Sequence, residues 1–517
     1  MNTTARRSTR DDAAPSRFWY IAALLVALIV RVAWLEDKPF WRDEAWVALL
    51  VEAPLSKVSD PHRPRPAPIG FVALAKLSGA LPLPPEIGYR LPALLGGLAL
   101  VPVLGWLARA LGAPPPVPLV VVWLAAGAPA LVYYSRELKS YGIDALSVAL
   151  AALLALRCVG RGAGPGLAAG PATVGLALLV ALAPWLTFGG LFGIGALLAW
   201  GSLRWWPTAD AVTRRRWLLV CAIFLVSFAA AYVQALGAQS SSPRLHATWR
   251  EWTFPLAKQE DAPLGQLAVA VWRYLSLSTW FVFSGAWPLL IPLAALGAAV
   301  WPARGRGLLI WLYVGTGVLA VAATLADRFL LAEGRLLLFA APPLLLAAAA
   351  GLVAAGRRLW PARPQAIGLA IAVMLGLAWS AKAIAHRLPP YRNDPRAYFQ
   401  YDTLHDVDAL LDAAVALRRP GEPVFVAVYA SKPYRYYRRG RLADASVCPE
   451  PCPEIGDRLD RWIRSLDDRG LLLLLDDEVD QYVRHMTARG WQWREAATVR
   501  GGRVWEVQRC APVECGA

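Results

Sequence analysis

Residues 116–157 read PVPLVVVWLAAGAPALVYYSRELKSYGIDALSVALAALLALR. Two apolar runs flank a short polar break, Ser135-Arg136-Glu137-Leu138-Lys139. Each run approaches the roughly 20 residues that cross a hydrocarbon core as a helix. So short a break leaves no room for a folded segment, so the runs form a helical hairpin whose charged tip lies at one membrane face.

Working outward, comparable runs recur at 18–35, 91–109, 167–182, 185–203, 216–236, 285–301, 308–326, 335–355 and 365–385. With the two arms of the hairpin (116–134 and 140–157) they make about eleven spans. The composition agrees. Hydrophobic residues make up 57% of the 517 and charged ones 17%, against roughly 25% charged in a soluble domain. The 18–35 run is too long for a signal-peptide core and lacks a small-residue cleavage site, so it reads as a retained first helix.

The net charge of +16 would suggest nucleic acid in a soluble protein. Here the arginines punctuate the apolar runs: Arg6, Arg7, Arg10 and Arg17; Arg109; Arg157 and Arg161; Arg204 with Arg214, Arg215 and Arg216; Arg304 and Arg306; Arg357, Arg358 and Arg363. All fall on one side if the N-terminus is cytoplasmic, as the positive-inside rule requires. No basic patch with interleaved aromatics lies on a soluble segment, which excludes nucleic acid as the partner. The 24 tryptophans suit membrane interfaces. The same rule places 67–81, interrupted by Lys76, along the outer interface, because a span there would carry Arg109 outside. Residues 264–283, with Arg273 in their middle, read the same way. The outer face then receives the loops 36–90, 135–139, 237–284 and 327–334, and everything after 385.

Beyond residue 386 the composition becomes that of a soluble domain. Residues 422–430, 470–475, 492–500 and 503–508 read as strands, and 457–469 and 479–489 as helices. The expected architecture is an all-α polytopic membrane domain, 1–386, with interfacial helices in its first external loop. A small extracytoplasmic α/β domain, 387–517, follows it. Cys448, Cys452, Cys510 and Cys515 form two tight pairs there, which suggests disulfides on an oxidising face. Their spacing does not suit zinc.

Ionisable residues in and beside spans are the first place to look for function. Asp43 and Glu44 follow the first span; His62, Arg63, Arg65 and Arg90 lie further along the same external loop. Arg136, Glu137, Lys139 and Tyr141 occupy the hairpin tip, and Arg335 opens the tenth span. Each has a plainer reading. Asp43 can cap a helix over 44–52, and Glu137 with Lys139 can be a solvated pair. The arginines can meet lipid headgroups. Asp394 and the run Asp476-Asp477-Glu478 read as solvated charge.

Taken in order, these segments resemble a known family. Asp43-Glu44, then Pro66-Ala67-Pro68-Ile69, then Arg90-Leu91-Pro92-Ala93-Leu94 are similar to its Asp-Glu, PPL and RLPSAL motifs. Residues 133–141 (YYSRELKSY) resemble its YYSQEARMY, and 335–345 (RLLLFAAPPLL) its RYLLPALPPLLLL. The family is the GT-C class of lipid-donor glycosyltransferases, among the bacterial relatives of protein O-mannosyltransferases and aminoarabinose transferases. The resemblance covers about 18–385 and is thin between 170 and 330. Lys139 stands where the family has Arg, Ala67 replaces the first Pro of PPL, and Leu336 replaces Tyr.

The resemblance implies an inverting transfer of a sugar from a polyprenyl-phosphate-linked donor to an acceptor hydroxyl of a glycan, lipid or protein. It implies a plasma-membrane protein of a bacterium, acting among membrane lipids. Asp43 is then the base, and Lys139, Arg335, Arg136 and Arg90 are the cations that receive the phosphate charge. Glu137 orients Lys139 or binds sugar, and Glu44 supports the loop or a metal. The resemblance fixes no cofactor, and acidic residues beside phosphate leave a divalent cation open. Two other readings stay open: a transporter or flippase of a lipid-linked sugar, and a noncatalytic assembly protein of the cell envelope.

Overall fold

The computed structural model describes residues 17–33, 35, 39–54, 67–158, 170–236, 263–331, 333–360, 364–385, 406–448 and 455–508. Candidate residues His62, Arg63, Arg65, Cys452, Cys510 and Cys515 lie outside them, as does Asp394. The chain forms two compact units. One comprises Met1–Ala33, Ser59–Leu74 and Arg90–Ala385; the other comprises Trp34–Val58, Ala75–Tyr89 and His386–Ala517.

The first unit is helical. Six of its helical stretches, among the described residues, are long and apolar enough to cross a membrane, so the chain is built as a membrane protein. Three apolar runs keep the bounds read from sequence to within a residue, Leu91–Ala110, Tyr141–Cys158 and Pro364–Ala385, and a fourth, Ala303–Leu325, starts five residues before its expected 308; each is one helix. Two others are not. The 116–134 run is two helices, Val117–Gly127 and Pro129–Tyr134, because Pro129 has no N–H to continue the ladder. The 335–355 run opens as a 3-10 helix, Gly334–Ala340, before the α-helix Ala341–Leu359. Pro263–Phe283, expected along the interface, is a helix of 21 residues that a 3-10 turn joins to Trp287–Val300. The joined stretch is among the six. Arg273 within it donates to the Leu331 carbonyl at 3.3 Å.

The Ala341–Leu359 helix packs against Trp287–Val300, Val117–Gly127, Ala303–Leu325 and Pro364–Ala385 and is buried nearly throughout. Backbone contact explains how closely they approach. A Cβ on Gly351 would fall 1.8 Å from the Leu293 carbonyl oxygen, and one on Gly297 1.8 Å from that of Ala347. Lipid supplies no hydrophobic drive between helices, so small residues that let backbones meet supply the packing.

The second unit holds a five-stranded sheet of order β2-β1-β3-β5-β4. The strands are β1 Val424–Val426, β2 Ser446–Val447, β3 Arg469–Leu475, β4 Gln492–Val499 and β5 Gly502–Gln508. β1 pairs in parallel with β2 and β3, whereas β3–β5 and β5–β4 are antiparallel. The β4–β5 hairpin turns through Gly501 at φ 71°, a conformation glycine adopts without a Cβ clash. Leu472 and Leu474 of β3 join Leu459, Trp462, Ile463, Tyr482 and Met486 in one core. These come from the helices Ile455–Arg464 and Val479–Ala488. Alternate strand residues face the other side, where Leu410 of the helix Val407–Leu417 meets Gly502. Burial on both faces is why β3 reads as an unbroken apolar run. Cys448 is disulfide-bonded, to a residue outside those described.

Candidate active site

In the first unit, three of the charged segments come together at one end of the helices. Arg90 precedes Leu91–Ala110, and the start of that helix lies against the hairpin tip. A Cβ on Gly97 would meet the Ser135 side chain at 2.3 Å, and Gly142 lies against the Ala93 carbonyl. Tyr134 stacks edge-on with Tyr141, centroids 5.2 Å apart, and meets Phe281 at 5.4 Å. Phe281 in turn lies against Gly334, where a Cβ would touch its ring at 2.6 Å. The next residue is Arg335, which pairs with Glu333. An aromatic chain thus links the tip to the start of the 3-10 helix.

Arg90, Arg136, Glu137 and Lys139 are all buried, which does not fit the solvated-pair reading of Glu137 and Lys139. Arg136 Nη2 donates to the Ala33 carbonyl at 2.7 Å, and the Lys139 N–H to the Glu137 carbonyl at 2.7 Å. Ionisable groups held inside a membrane unit are costly and signal a site.

Two buried charges nearby were not singled out by sequence, and both have structural work. Arg31 donates through Nη1 to Ala126 O (2.7 Å) and through Nη2 to Ala125 O (3.0 Å). These carbonyls end the Val117–Gly127 helix, where a cation is favoured. The Asp144 carboxylate accepts from the Thr187 hydroxyl. The Thr187 oxygen in turn takes the Gly190 N–H at 2.9 Å, so Asp144 supports the start of the helix Gly190–Arg204 through Thr187. Nothing at either position in the sequence reveals the partner.

An apolar cavity of about 660 Å³ lies among the helices Pro263–Phe283, Trp287–Val300, Ala303–Leu325 and Ala341–Leu359. Its lining includes Trp272, Trp280, Phe283, Trp287 and Tyr313. The helix that supplies Phe281 to the aromatic chain therefore also walls this cavity.

Asp43 and Glu44 belong to the second unit. Their helix starts earlier than expected: it spans Arg42–Glu52 with Trp41 as N-cap and no side-chain cap. Asp43 is therefore not the cap; it sits with Glu44 in the first turn, where the helix dipole favours negative charge. At the other end Lys76 donates to Val51 O (2.7 Å) and Ala53 O (3.1 Å). Asp43 Oδ1 lies 3.4 Å from Arg42 Nε, whose guanidinium sits 4.3 Å over the Tyr429 ring. Glu44 is fully buried.

Glu478, read from sequence as solvated, is buried instead. Its Oε2 accepts from Tyr429 N at 3.0 Å and its Oε1 from Leu475 N at 3.2 Å. Burial pushes its carboxyl up to about 7, against the pull of those donors and of the Arg42 charge. Asp476 behaves as expected, exposed and paired with Arg503 at 3.0 Å. The basic aromatic run 434–439 is partly core, since Tyr434 and Tyr437 are buried. Among the described residues no three His, Cys, Asp or Glu side chains gather where they could hold a metal ion.

No protein-family model and no curated relative matches the sequence. The fold has clear counterparts. ArnT from Cupriavidus metallidurans in the apo state aligns with a TM-score of 0.59 at 12% identity, covering 95% of this chain and 98% of that one. The same protein bound to undecaprenyl phosphate aligns with a TM-score of 0.59 at 13% identity, covering 96% and 99%. At such identity the likeness is one of fold. Over nearly its whole length, then, the chain has the fold of ArnT, an aminoarabinose transferase of the GT-C class that its sequence motifs resemble.

Proposed function

We propose that this chain is an inverting glycosyltransferase that moves a sugar from a polyprenyl-phosphate-linked donor to an acceptor hydroxyl. The observation that carries the reading is the gathering of Arg90, the 135–141 tip and the 334–340 turn at one end of the membrane unit. It occurs on a fold shared with a protein solved bound to undecaprenyl phosphate. In this reading about eleven spans place that end on the outer face of a bacterial plasma membrane, with the N-terminus inside.

The acceptor oxygen attacks the anomeric carbon as the bond from that carbon to the phosphate oxygen breaks. Asp43 takes the acceptor proton, a role commonly worth about 10²–10⁴-fold. The leaving lipid phosphate keeps the electron pair, and Lys139, Arg136, Arg90 and Arg335 hold its charge. The apolar cavity is the proposed seat for part of the prenyl chain.

The test is transfer from labelled polyprenyl-phosphate sugars in membranes carrying the native chain or Asp43→Asn at equal abundance. The expected result is release of polyprenyl phosphate by the native chain and a loss of about 10²-fold or more in the variant. Equal rates would remove Asp43 as the base. Transfer from none of the donors would favour a transporter or an assembly protein.

A further inference from the structure

One short stretch of the second unit holds the segment that carries Asp43 at three points. The Phe40 N–H donates to Tyr437 Oη at 2.7 Å. The Arg42 guanidinium lies 4.3 Å over the Tyr429 ring. Lys432 Nζ lies 3.3 Å over the Trp46 ring. Tyr429 leaves the end of β1, and Lys432 and Tyr437 belong to the helix Ser431–Tyr437.

Tyr429 is itself fixed from beneath. Glu478 takes the Tyr429 N–H on one oxygen and the Leu475 N–H on the other. The carboxylate therefore ties the chain leaving β1 to the end of β3. The Tyr429 ring is thus presented from a turn tied to the ends of two paired strands rather than from a free loop, and groups on rigid elements are held more finely than groups on loops.

Arg42 and Asp43 are neighbours in a helix, and neighbours point to different faces. Contact between them needs an outside hold on the longer side chain, and the Tyr429 ring is placed to give it.

We propose that Tyr429 and Glu478 are positioning residues for Asp43: the C-terminal sheet seats Arg42, and Arg42 aims the Asp43 carboxylate. This gives the C-terminal part of the chain a role in the transfer without contact with substrate. It rests on the reading of Asp43 as the base.

The experiment uses the full chain purified in detergent, native and as Tyr429→Leu, Tyr429→Phe, Arg42→Met and Asp43→Asn. Two quantities are read: amide hydrogen exchange by mass spectrometry, and kcat and KM for a labelled polyprenyl-phosphate sugar. In Tyr429→Leu, exchange should rise over 40–48 and stay native over the β3 strand. Its kcat should fall about tenfold with KM nearly unchanged, the mark of lost aim rather than lost binding. Tyr429→Phe keeps the ring and should behave as native. Arg42→Met removes the same contact from the other side and should reproduce the loss in kcat, even if Tyr429→Leu folds poorly.

Native exchange over 40–48 in Tyr429→Leu, native kcat in Arg42→Met, or a Phe variant as poor as Leu would overturn the proposal. Native transfer by Asp43→Asn would overturn it through its base, whatever the exchange shows. An inactive Asp43→Asn beside a fully active Tyr429→Leu would overturn the positioning alone and leave the base in place.

Discussion

Glu478 ends a run of three acids, Asp476-Asp477-Glu478, and its surroundings differ sharply from those of Asp476. Asp476 is exposed and meets Arg503, while Glu478 turns inward to two backbone N–H groups. A run of charges in sequence does not say which member the fold will bury. That is why Glu478, like Arg31 and Asp144, was not legible: each has a partner far away in the chain, Tyr429, Ala126 and Thr187 in turn. Lys139 and Arg335 could be singled out because each stands next to the end of a recognisable apolar run, and Asp43 because it is paired with Glu44 in the loop after the first one; their roles belong to the proposed function. Burial raises the Glu478 carboxyl from 4.5 to about 7. The folded state then binds this proton more tightly than the unfolded chain. The resulting stability is fully present below about pH 4.5 and is lost as the pH rises to about 7, on the order of 3 kcal/mol. Thermal unfolding of the detergent-solubilised chain should shift to lower temperature between pH 5 and pH 8. Glu478→Gln, less stable at both, should shift less. An equal shift in the two proteins would assign the effect to other groups.

Most helices of the first unit are continuous apolar runs, so their existence followed from hydropathy. Their interruptions followed from single residues. Pro129 in GAPA divides one run, a signal present in the sequence. The 3-10 turn Gly334–Ala340 had no such sign and depends on Phe281 seated against Gly334. In the second unit the helix Ser431–Tyr437 was missed for a related reason. Seven residues rich in aromatics do not hold a helix alone; this one packs on Arg42–Glu52, nearly four hundred residues earlier. Helix crossings are the sharpest test at this scale. Gly351 faces the Leu293 carbonyl with no room for a Cβ. Gly351→Ala should push the Trp287–Val300 and Ala341–Leu359 helices apart and cost about 1–3 kcal/mol. A lower midpoint in thermal unfolding would be the sign. An unchanged midpoint would mean that the helices slide past each other freely.

Across the whole molecule, the first unit could be anticipated from apolar length and arginine placement, and the sheet from alternating strand and helix patterns. What sequence could not supply was membership. Residues 34–58 and 75–89, read as a loop of the membrane domain, are grouped with the C-terminal sheet, through contacts between segments hundreds of positions apart. The same remoteness bears on Arg31. Its acceptor Ala126 is 95 residues downstream, so a ribosome delivers the first helix well before the carbonyls that neutralise its charge exist. An arginine without partners is costly in a bilayer, roughly 2.5–3.5 kcal/mol near the centre and less toward an edge. The opening helix should therefore be held only provisionally at the insertion machinery until the hairpin 116–157 arrives and locks it. Chains truncated after residue 110 should be stripped from membranes by alkaline carbonate more readily than chains truncated after 158, and Arg31→Leu should erase that difference. Biogenesis would then proceed by a late-arriving latch, with the first segment to enter the membrane among the last to be secured.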